Sequence, residues 1–235
     1  MRILAVGCHP DDLEINCYGT LAKYRKLGHD VAVCNIANGN LGHVVIKPDE
    51  LREIRLKEAQ EAAKVIGATH YTIDIGDLYV TAENDDLIRK LAAVIREVQP
   101  EVVITHYESD YMNDHIQTFY ATFRATFAAS CPHYEMGAEP ASAPITPIYH
   151  MDTLTGVGFL PTEYVDITDV IDLKLEALAC HKSQVEWMKE HDGIDFLDMV
   201  RTCSKVRGYQ CGVEYAEGFR LCRHYLRMVP KRLLP

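Results

Sequence analysis

Several features that the 235-residue sequence lacks narrow what it can be. No apolar run approaches the ~20 residues that a membrane-spanning helix requires, so no membrane insertion is expected. The N-terminus runs from Met1 straight into Arg2-Ile3-Leu4-Ala5-Val6, with no basic stretch leading to a cleavage site, which points to the cytoplasm. Positive charge is scarce. Lys and Arg number 24 against 34 Asp and Glu, a formal net charge of −10. Nucleic acids and anionic membrane surfaces are bound by clustered Lys and Arg that displace counterions, so neither is an expected partner. The one basic cluster, Arg223 to Arg232, is interrupted by Leu226, Met228, Val229 and Pro230 and reads as a solvated end. Eight cysteines contain no C-x-x-C pair, and several sit inside apolar patterns. They read as reduced core cysteines, neither a disulfide frame nor a cysteine zinc site. No internal repeat or low-complexity linker divides the chain.

Hydrophobic residues make up 48% of the sequence, enough for a sizeable core. The length suits one large domain over residues 1–235. Residues 2 to 7 read as a buried strand. A helix pattern from Leu13 to Leu27 follows and closes at Gly28, a residue suited to the left-handed position after a helix. Strands are then expected at Val31 to Ile36, Tyr71 to Ile75 and Val102 to His106. Between them lie a helix capped by Asp49 and ending at Gly67, and another over Asp85 to Val98. A helix from Asn113 to Ala129 follows. This alternation predicts an α/β fold: a mostly parallel sheet covered by helices on both faces. Residues 130 to 147, with four prolines, read as a long loop that is either a lid or an interface. Beyond it come strands at Ile148 to Met151 and Tyr164 to Ile167, helices at Val170 to Glu190 and Ile194 to Val206, and an ending from Tyr215 to Phe219 before an apolar run.

In open α/β sheets ligands bind at the carboxyl ends of the strands. After the first strand stands Gly7-Cys8-His9-Pro10-Asp11-Asp12. This is no dinucleotide loop: a G-x-G-x-x-G turn needs glycine where His9 and Asp12 stand, and carboxylates there repel a pyrophosphate. It offers an imidazole and two carboxylates at the start of a helix, with Pro10 holding His9 extended and the helix dipole favouring ionised Asp11 and Asp12. Read alone, the segment is equally a helix cap beside a strand-end histidine. A second His/Asp cluster follows the Val102 to His106 strand, running from His106 through Asp110 and Asp114 to His115. If the two strands are neighbours, His9, Asp12 and His115 can meet as a two-histidine, one-carboxylate site with a coordination position left for water, the arrangement of a catalytic zinc.

At His9-Pro10-Asp11-Asp12 and Asp114-His115 the sequence resembles the PIG-L/LmbE-like superfamily of zinc-dependent N-acetylglucosaminyl deacetylases. Weaker similarity runs through Arg55-Leu56-Lys57-Glu58-Ala59, Val165-Asp166-Ile167-Thr168, His181-Lys182-Ser183-Gln184 and Tyr215-Ala216-Glu217-Gly218-Phe219. The resemblance implies a Rossmann-like three-layer sandwich and assembly into homo-oligomers. It implies zinc on His9, Asp12 and His115, and two imidazoles with one carboxylate are a donor set that also accepts Fe²⁺ or another divalent metal. Asp11 becomes the general base, Arg55 a substrate-binding residue, and an amino-sugar conjugate the small-molecule substrate. The chain departs from the family at one position. The second motif there usually reads His-Pro-Asp-His, and here it reads Met112-Asn113-Asp114-His115. The first His of that motif stabilises the oxyanion and protonates the departing amine, oriented by the motif's Asp, here Asp114. A thioether has no proton to give. His106 is the nearest other imidazole and rebuilds the acid if it turns toward Asp114; Asp11, once protonated, is the other source.

The function expected is hydrolysis of an N-acetyl group to acetate and a free amine. The alternatives are a metal-dependent hydrolase of another amide or acyl group, a phosphoesterase using Asp110 and Asp114, and a metal-binding protein without turnover. The loop Asn38 to His43 is expected to wall the sugar site, and His43 is the one further candidate ligand it carries. His181 and Gln184, three apart on a helix face, either border the pocket or lie on the surface.

Overall fold

The computed structural model describes residues 1–134 and 141–235. Residues 135–140, in the middle of the loop expected over 130–147, lie outside the described residues. The elements in chain order begin with β1 (Arg2–Gly7), α1 (Asp12–Asn16), α2 (Tyr18–Lys26), β2 (Asp30–Ala37), α3 (Pro48–Ile66), β3 (Thr69–Ile75), α4 (Asp85–Val98) and β4 (Val102–Thr105). They continue with α5 (Asn113–Ser130), β5 (Ile148–Met151), β6 (Glu163–Asp166), α6 (Ile171–Ala179), α7 (Lys182–Trp187), α8 (Phe196–Cys211) and β7 (Ala216–Leu221). Seven strands form one sheet in the order β3-β2-β1-β4-β5-β7-β6. The first five strands of that order are parallel, and β7 runs antiparallel to both β5 and β6.

The sheet is buried on both faces, and β1 shows how its sequence achieves this. Ile3 and Ala5 point into one hydrophobic cluster with residues of α2, α3, α6 and α8, while Leu4 and Val6 point into the other, with α4 and α5. Because alternate residues serve opposite layers, a strand covered on both sides has no polar position. Two layers of helices enclosing a mostly parallel sheet is the architecture the sequence suggested. The helix ends obey their local chemistry: Pro48 opens α3, Gly67 closes it at φ 69, and the Asn84 side chain accepts from the Asp86 and Leu87 amides to start α4.

Three expectations are corrected by long-range contacts. The helix expected over Leu13 to Leu27 breaks at Cys17 (φ −146). The break exposes the first amides of α2, and Glu217 of β7 takes those of Gly19 and Thr20 at 2.9 and 2.7 Å. The helix expected over Val170 to Glu190 likewise divides at Cys180-His181 and ends in a π turn, Met188–Asp192. The basic C-terminal segment is exposed at Arg223 and Arg232, but Arg227 is fully buried. It donates to Thr146 O and Phe123 O and lies over the Phe123 ring. All eight cysteines are free thiols, and Cys8, Cys17, Cys34 and Cys222 are buried, as core cysteines should be.

Glu217 also meets the buried Lys174 ammonium at 2.5 Å. One carboxylate therefore satisfies two helix amides and one buried cation. Glu217→Ala leaves that cation and both amides unpaired, and should destabilise the fold by about 3–5 kcal/mol. The measurement is the urea midpoint; a loss below about 1 kcal/mol would mean that water replaces the carboxylate.

Candidate metal centre and active site

The strand order places β1 between β2 and β4, so the chain crosses to opposite sides from β1 and a crevice opens at the strands' carboxyl ends. Both His/Asp clusters lie there. β1 pairs with β4 through Val6 and Thr105, and the register is extended by one hydrogen bond from the Cys8 amide to His106 Nε2, 2.9 Å. His9 through Asp12 then fold into a tight turn: the His9 amide donates to Asp12 Oδ2 at 2.6 Å and Asp11 sits at φ 114, in the left-handed region. A non-glycine residue held there costs about 1–3 kcal/mol, and such residues cluster at active sites.

Three imidazoles surround the Asp12 carboxylate. His9 Nδ1 lies 3.4 Å from Oδ2, His106 Nε2 3.3 Å from Oδ2, and His115 Nε2 3.3 Å from Oδ1. They are not equivalent. His115 turns its other nitrogen, Nδ1, to Asp110 Oδ1 at 3.1 Å, and His9 turns Nε2 to Asp114 Oδ2 at 3.4 Å. Each thus has one nitrogen on an outer carboxylate and one facing Asp12, the pattern by which carboxylates orient metal-binding histidines. His106 differs. Its Nε2 accepts the Cys8 amide, its ring stacks on His115 with centroids 4.1 Å apart, and it is fully buried behind the site. Among the described residues two groups bring their ligand atoms within 4.8 Å of one another, Asp12 with His106 and His115, and Cys8 with His9 and Asp12. Because His106 Nε2 is taken by the Cys8 amide, His9, Asp12 and His115 are the residues left that could hold a divalent cation, with His106 behind them.

The electrostatics agree. Burial alone would lower the His115 pKa, but the Asp12 and Asp110 carboxylates outweigh it and push the imidazole up to about 10. The same competition, won by Cys8 together with Asp114 and Asp12, raises His9. So many carboxylates around two imidazoles call for positive charge, which a divalent cation supplies. Asp11 is set apart. Burial raises its pKa to about 6, against the lowering effect of Arg55, and its Oδ2 accepts from Arg55 at 2.9 Å. A carboxylate poised near 6 is suited to taking and returning a proton near neutrality.

The sequence-based candidates divide as follows. His9, Asp12 and His115 converge, and Asp11 lies beside them. Asp114 is fully buried and accepts from the Leu78 amide at 2.7 Å as well as facing His9. His106 does not turn toward Asp114, so the acid is not rebuilt from that position. Its Nδ1 instead lies 3.9 Å from Asp110 Oδ2. Arg55 is buried and not surface-exposed; it donates to Asp11, to Pro10 O and to Gly39 O, and lines the cavity. His43 is no ligand: its Nδ1 accepts the Val45 and Ile46 amides and its ring packs on Trp187. Gln184 borders the cavity and donates to Gly42 O, whereas His181 is buried 3.2 Å from Glu14.

Sequence reasoning missed three supports. Asp110 orients His115, Asp77 accepts the Gly39 and Leu41 amides to shape the cavity wall, and Asn35 donates to His9 O. Asp110 carries the one available signal, since it is a carboxylate five residues before a candidate ligand. The cavity, about 380 Å³, has a polar floor of His9, Asp11, Asp12 and His115 and walls that include Leu41, Leu78, Tyr111, Met112 and Met188.

A mostly parallel sheet with a candidate three-residue metal site and a carboxylate beside it at its switch point fits a metal-dependent amide hydrolase of the α/β class. The profile of the PIG-L family, described as GlcNAc-PI de-N-acetylase, matches residues 4–126, and the chain belongs to that family. It is 27% identical to the diacetylchitobiose deacetylase of Thermococcus kodakarensis, covering 93% of this chain and 82% of that protein. It is 29% identical to the 4-oxalmesaconate hydratase of Pseudomonas putida, covering 77% of this chain and 73% of that one. Among solved structures, N,N′-diacetylchitobiose deacetylase from Pyrococcus horikoshii superposes with a TM-score of 0.78 at 27% identity, covering 94% and 83% of the two chains. The 4-carboxy-2-hydroxymuconate hydratase from Pseudomonas putida shares the fold, with a TM-score of 0.83 at 24% identity and coverage of 99% and 100%.

The Arg55 seat is tight: a Cβ on Gly39, itself at φ 75, would lie 2.5 Å from the guanidinium. Gly39→Ala should lower the melting temperature and, by displacing Arg55, loosen the Asp11 turn. Calorimetry checks the first effect and the protection of the Asp11 and Asp12 amides from hydrogen exchange checks the second.

Proposed function

We propose that the protein is a zinc-dependent N-deacetylase acting on an N-acetylated amino sugar or glucosaminyl conjugate, with His9, Asp12 and His115 as metal ligands and Asp11 as general base. The observation that carries this reading is the pair of carboxylate-oriented imidazoles, Asp110–His115 and Asp114–His9, facing one carboxylate beside Asp11. Two imidazoles and a carboxylate suit zinc, and they also accept Fe²⁺ or another divalent ion according to supply.

When bound, the metal supplies Lewis acidity toward the acetamide carbonyl and acidifies a water. Asp11 takes the proton of the attacking water as the new C–O bond forms. The C–N bond then breaks, and Asp11 returns the proton to the nitrogen, giving acetate and an amine. Arg55 fixes the carboxylate for both transfers. Met112 stands where a proton donor is usual, which puts both transfers on Asp11; a missing auxiliary donor costs roughly 10²- to 10³-fold in rate. The apolar walls suit an acetyl methyl group and the face of a sugar ring. Homo-oligomeric assembly follows from the family resemblance, and a cytoplasmic location from the cysteine pattern of the sequence, which has no C-x-x-C pair.

The hydratase relatives give a second reading, addition of water across a conjugated double bond, in which Asp11 would take the proton of the adding water and deliver it to the carbon that gains hydrogen; Met112 favours it because hydration has no departing amine to protonate. The cavity offers it no free anchoring cation from Lys or Arg. Arg55 is the sole Lys or Arg side chain among its described lining residues and is committed to Asp11. The carboxylates of a muconate would find no unpaired guanidinium or ammonium there.

Release of primary amine from acetamido sugars by the metal-loaded protein is the test. Asp11→Asn should lower the rate by about 10²- to 10⁴-fold with its metal retained, and Met112→His should raise it. No amine release, together with loss of the ultraviolet absorbance of a conjugated enoate, would replace deacetylation by hydration. Asp110→Asn should weaken metal binding by about 10- to 100-fold, measured by competition with a chromogenic chelator. His106→Asn should leave the metal stoichiometry intact.

A further inference from the structure

The wall of the catalytic cavity includes Leu41 and Gly42, and it is tied down from within. The Gly39 and Leu41 amides donate to Asp77, and Gln184 of α7 donates to Gly42 O. A Cβ on Gly42 would lie 2.9 Å from the Arg55 guanidinium, so the wall has no slack on that side. Beyond Gly42 the lip of the cavity is the turn 43–46, and its tie is the His43 side chain. His43 Nδ1 accepts the Val45 and Ile46 amides, both at 3.1 Å, and the ring packs on Trp187 with centroids 4.7 Å apart. Val44 and Val45 are exposed, and the next element, α3, starts at Pro48.

Taking the amides two and three residues on is what a capping side chain does. Asn84 makes the same pair of bonds at the start of α4, where its Oδ1 accepts the Asp86 and Leu87 amides at 3.1 and 3.2 Å. An amide oxygen accepts a hydrogen bond whatever the pH. An imidazole nitrogen accepts only while it carries no proton, and in the cationic ring both nitrogens are donors. His43 thus fills the place of an asparagine with an acceptor that one proton abolishes.

The ring itself is not set free by that proton. Trp187, the one tryptophan of the chain, also meets His191, stacked at 4.1 Å, and an indole holds a cation over its face. Protonation therefore leaves His43 on Trp187 and releases the backbone of the turn. The charged and titratable groups on the elements around the ring are Lys47, Asp49 and Glu50 leading into α3, Lys182 and Glu186 on α7, and Lys189, Glu190, His191 and Asp192 on the π turn. All are exposed, and His191 is paired with Asp192 at 2.7 Å. Solvent screens such groups, so the turn responds to the proton on His43 itself.

We infer that His43 is a positioning residue for the cavity wall: neutral, it closes the lip at residues 43–46, and protonated, it opens it. The inference goes beyond the deacetylase reading and holds whichever reaction the cavity performs.

The test is the protection of the Val45 and Ile46 amides from hydrogen exchange in the metal-loaded protein at about pH 8 and about pH 5, on either side of the range in which imidazoles gain a proton. Each rate is referred to that of an unfolded chain at the same pH. In the unaltered protein both amides should lose about tenfold or more of their protection at the lower pH, while the Asp86 and Leu87 amides on Asn84 keep theirs. His43→Asn, which supplies an oxygen where Nδ1 stood, should keep the protection at both pH values; His43→Ala should lack it at both. In His191→Asn the Trp187 fluorescence should titrate with the same midpoint as the protection. Protection that does not fall with pH in the unaltered protein, or that falls as far in His43→Asn, overturns the inference, as do two separate midpoints.

Discussion

The parallel pairing of β1 with β4 is the constraint on which the site depends. It brings the turn after one strand against the loop after the other, and a single backbone donor, the Cys8 amide on His106, fixes their height. Without it His9 and Asp12 would have no partner in His115, which lies more than a hundred residues along the chain. The pairing in turn requires both faces of β1 to be apolar, since helices cover it on either side. The core and the chemistry therefore share one requirement, and a polar substitution at Leu4 or Ala5 would disturb both.

Around that junction the chain concentrates negative charge and then orders it. Asp12 lies at the centre, Asp110 and Asp114 stand behind the two imidazoles, and Asp77 ties the wall through backbone amides. Asp11 alone of these is paired with a guanidinium, that of Arg55, and that pairing opposes the effect of burial on its proton affinity. Carboxylates of identical chemistry thus take different tasks from their neighbours. Arg55 links Asp11 to the loop at Gly39 and Gly42, so the cavity wall and the proposed proton carrier are held by one side chain.

The layered α/β fold and the meeting of His9, Asp12 and His115 were legible because periodicity marks strands and helices, and the strand ends mark where ligands bind. The same logic could not orient His106. Whether a strand-end imidazole faces the cavity or the core depends on which backbone amide reaches it, and Cys8 is 98 residues away in sequence. The break at Cys17 was invisible for a similar reason: the apolar pattern continues through it, and only Glu217 makes a second helix start there worthwhile. Arg227 looked like a solvated charge because its partners, Thr146 O and Phe123 O, are carbonyls that no sequence pattern advertises.

The Glu217 clamp has a bearing on how the protein is made. The amides it caps belong to α2, while the carboxylate lies in β7, 198 residues after Gly19. Lys174, its other partner, also waits for it. During synthesis the nascent chain can assemble β1 to β5, yet the interior between α2 and α6 holds an unpaired ammonium until residue 217 emerges. Closure of that layer thus waits until residue 217 has been made, and a chain that stops short of it would have α2 uncapped and its lysine stranded, a ready client for chaperones and proteases.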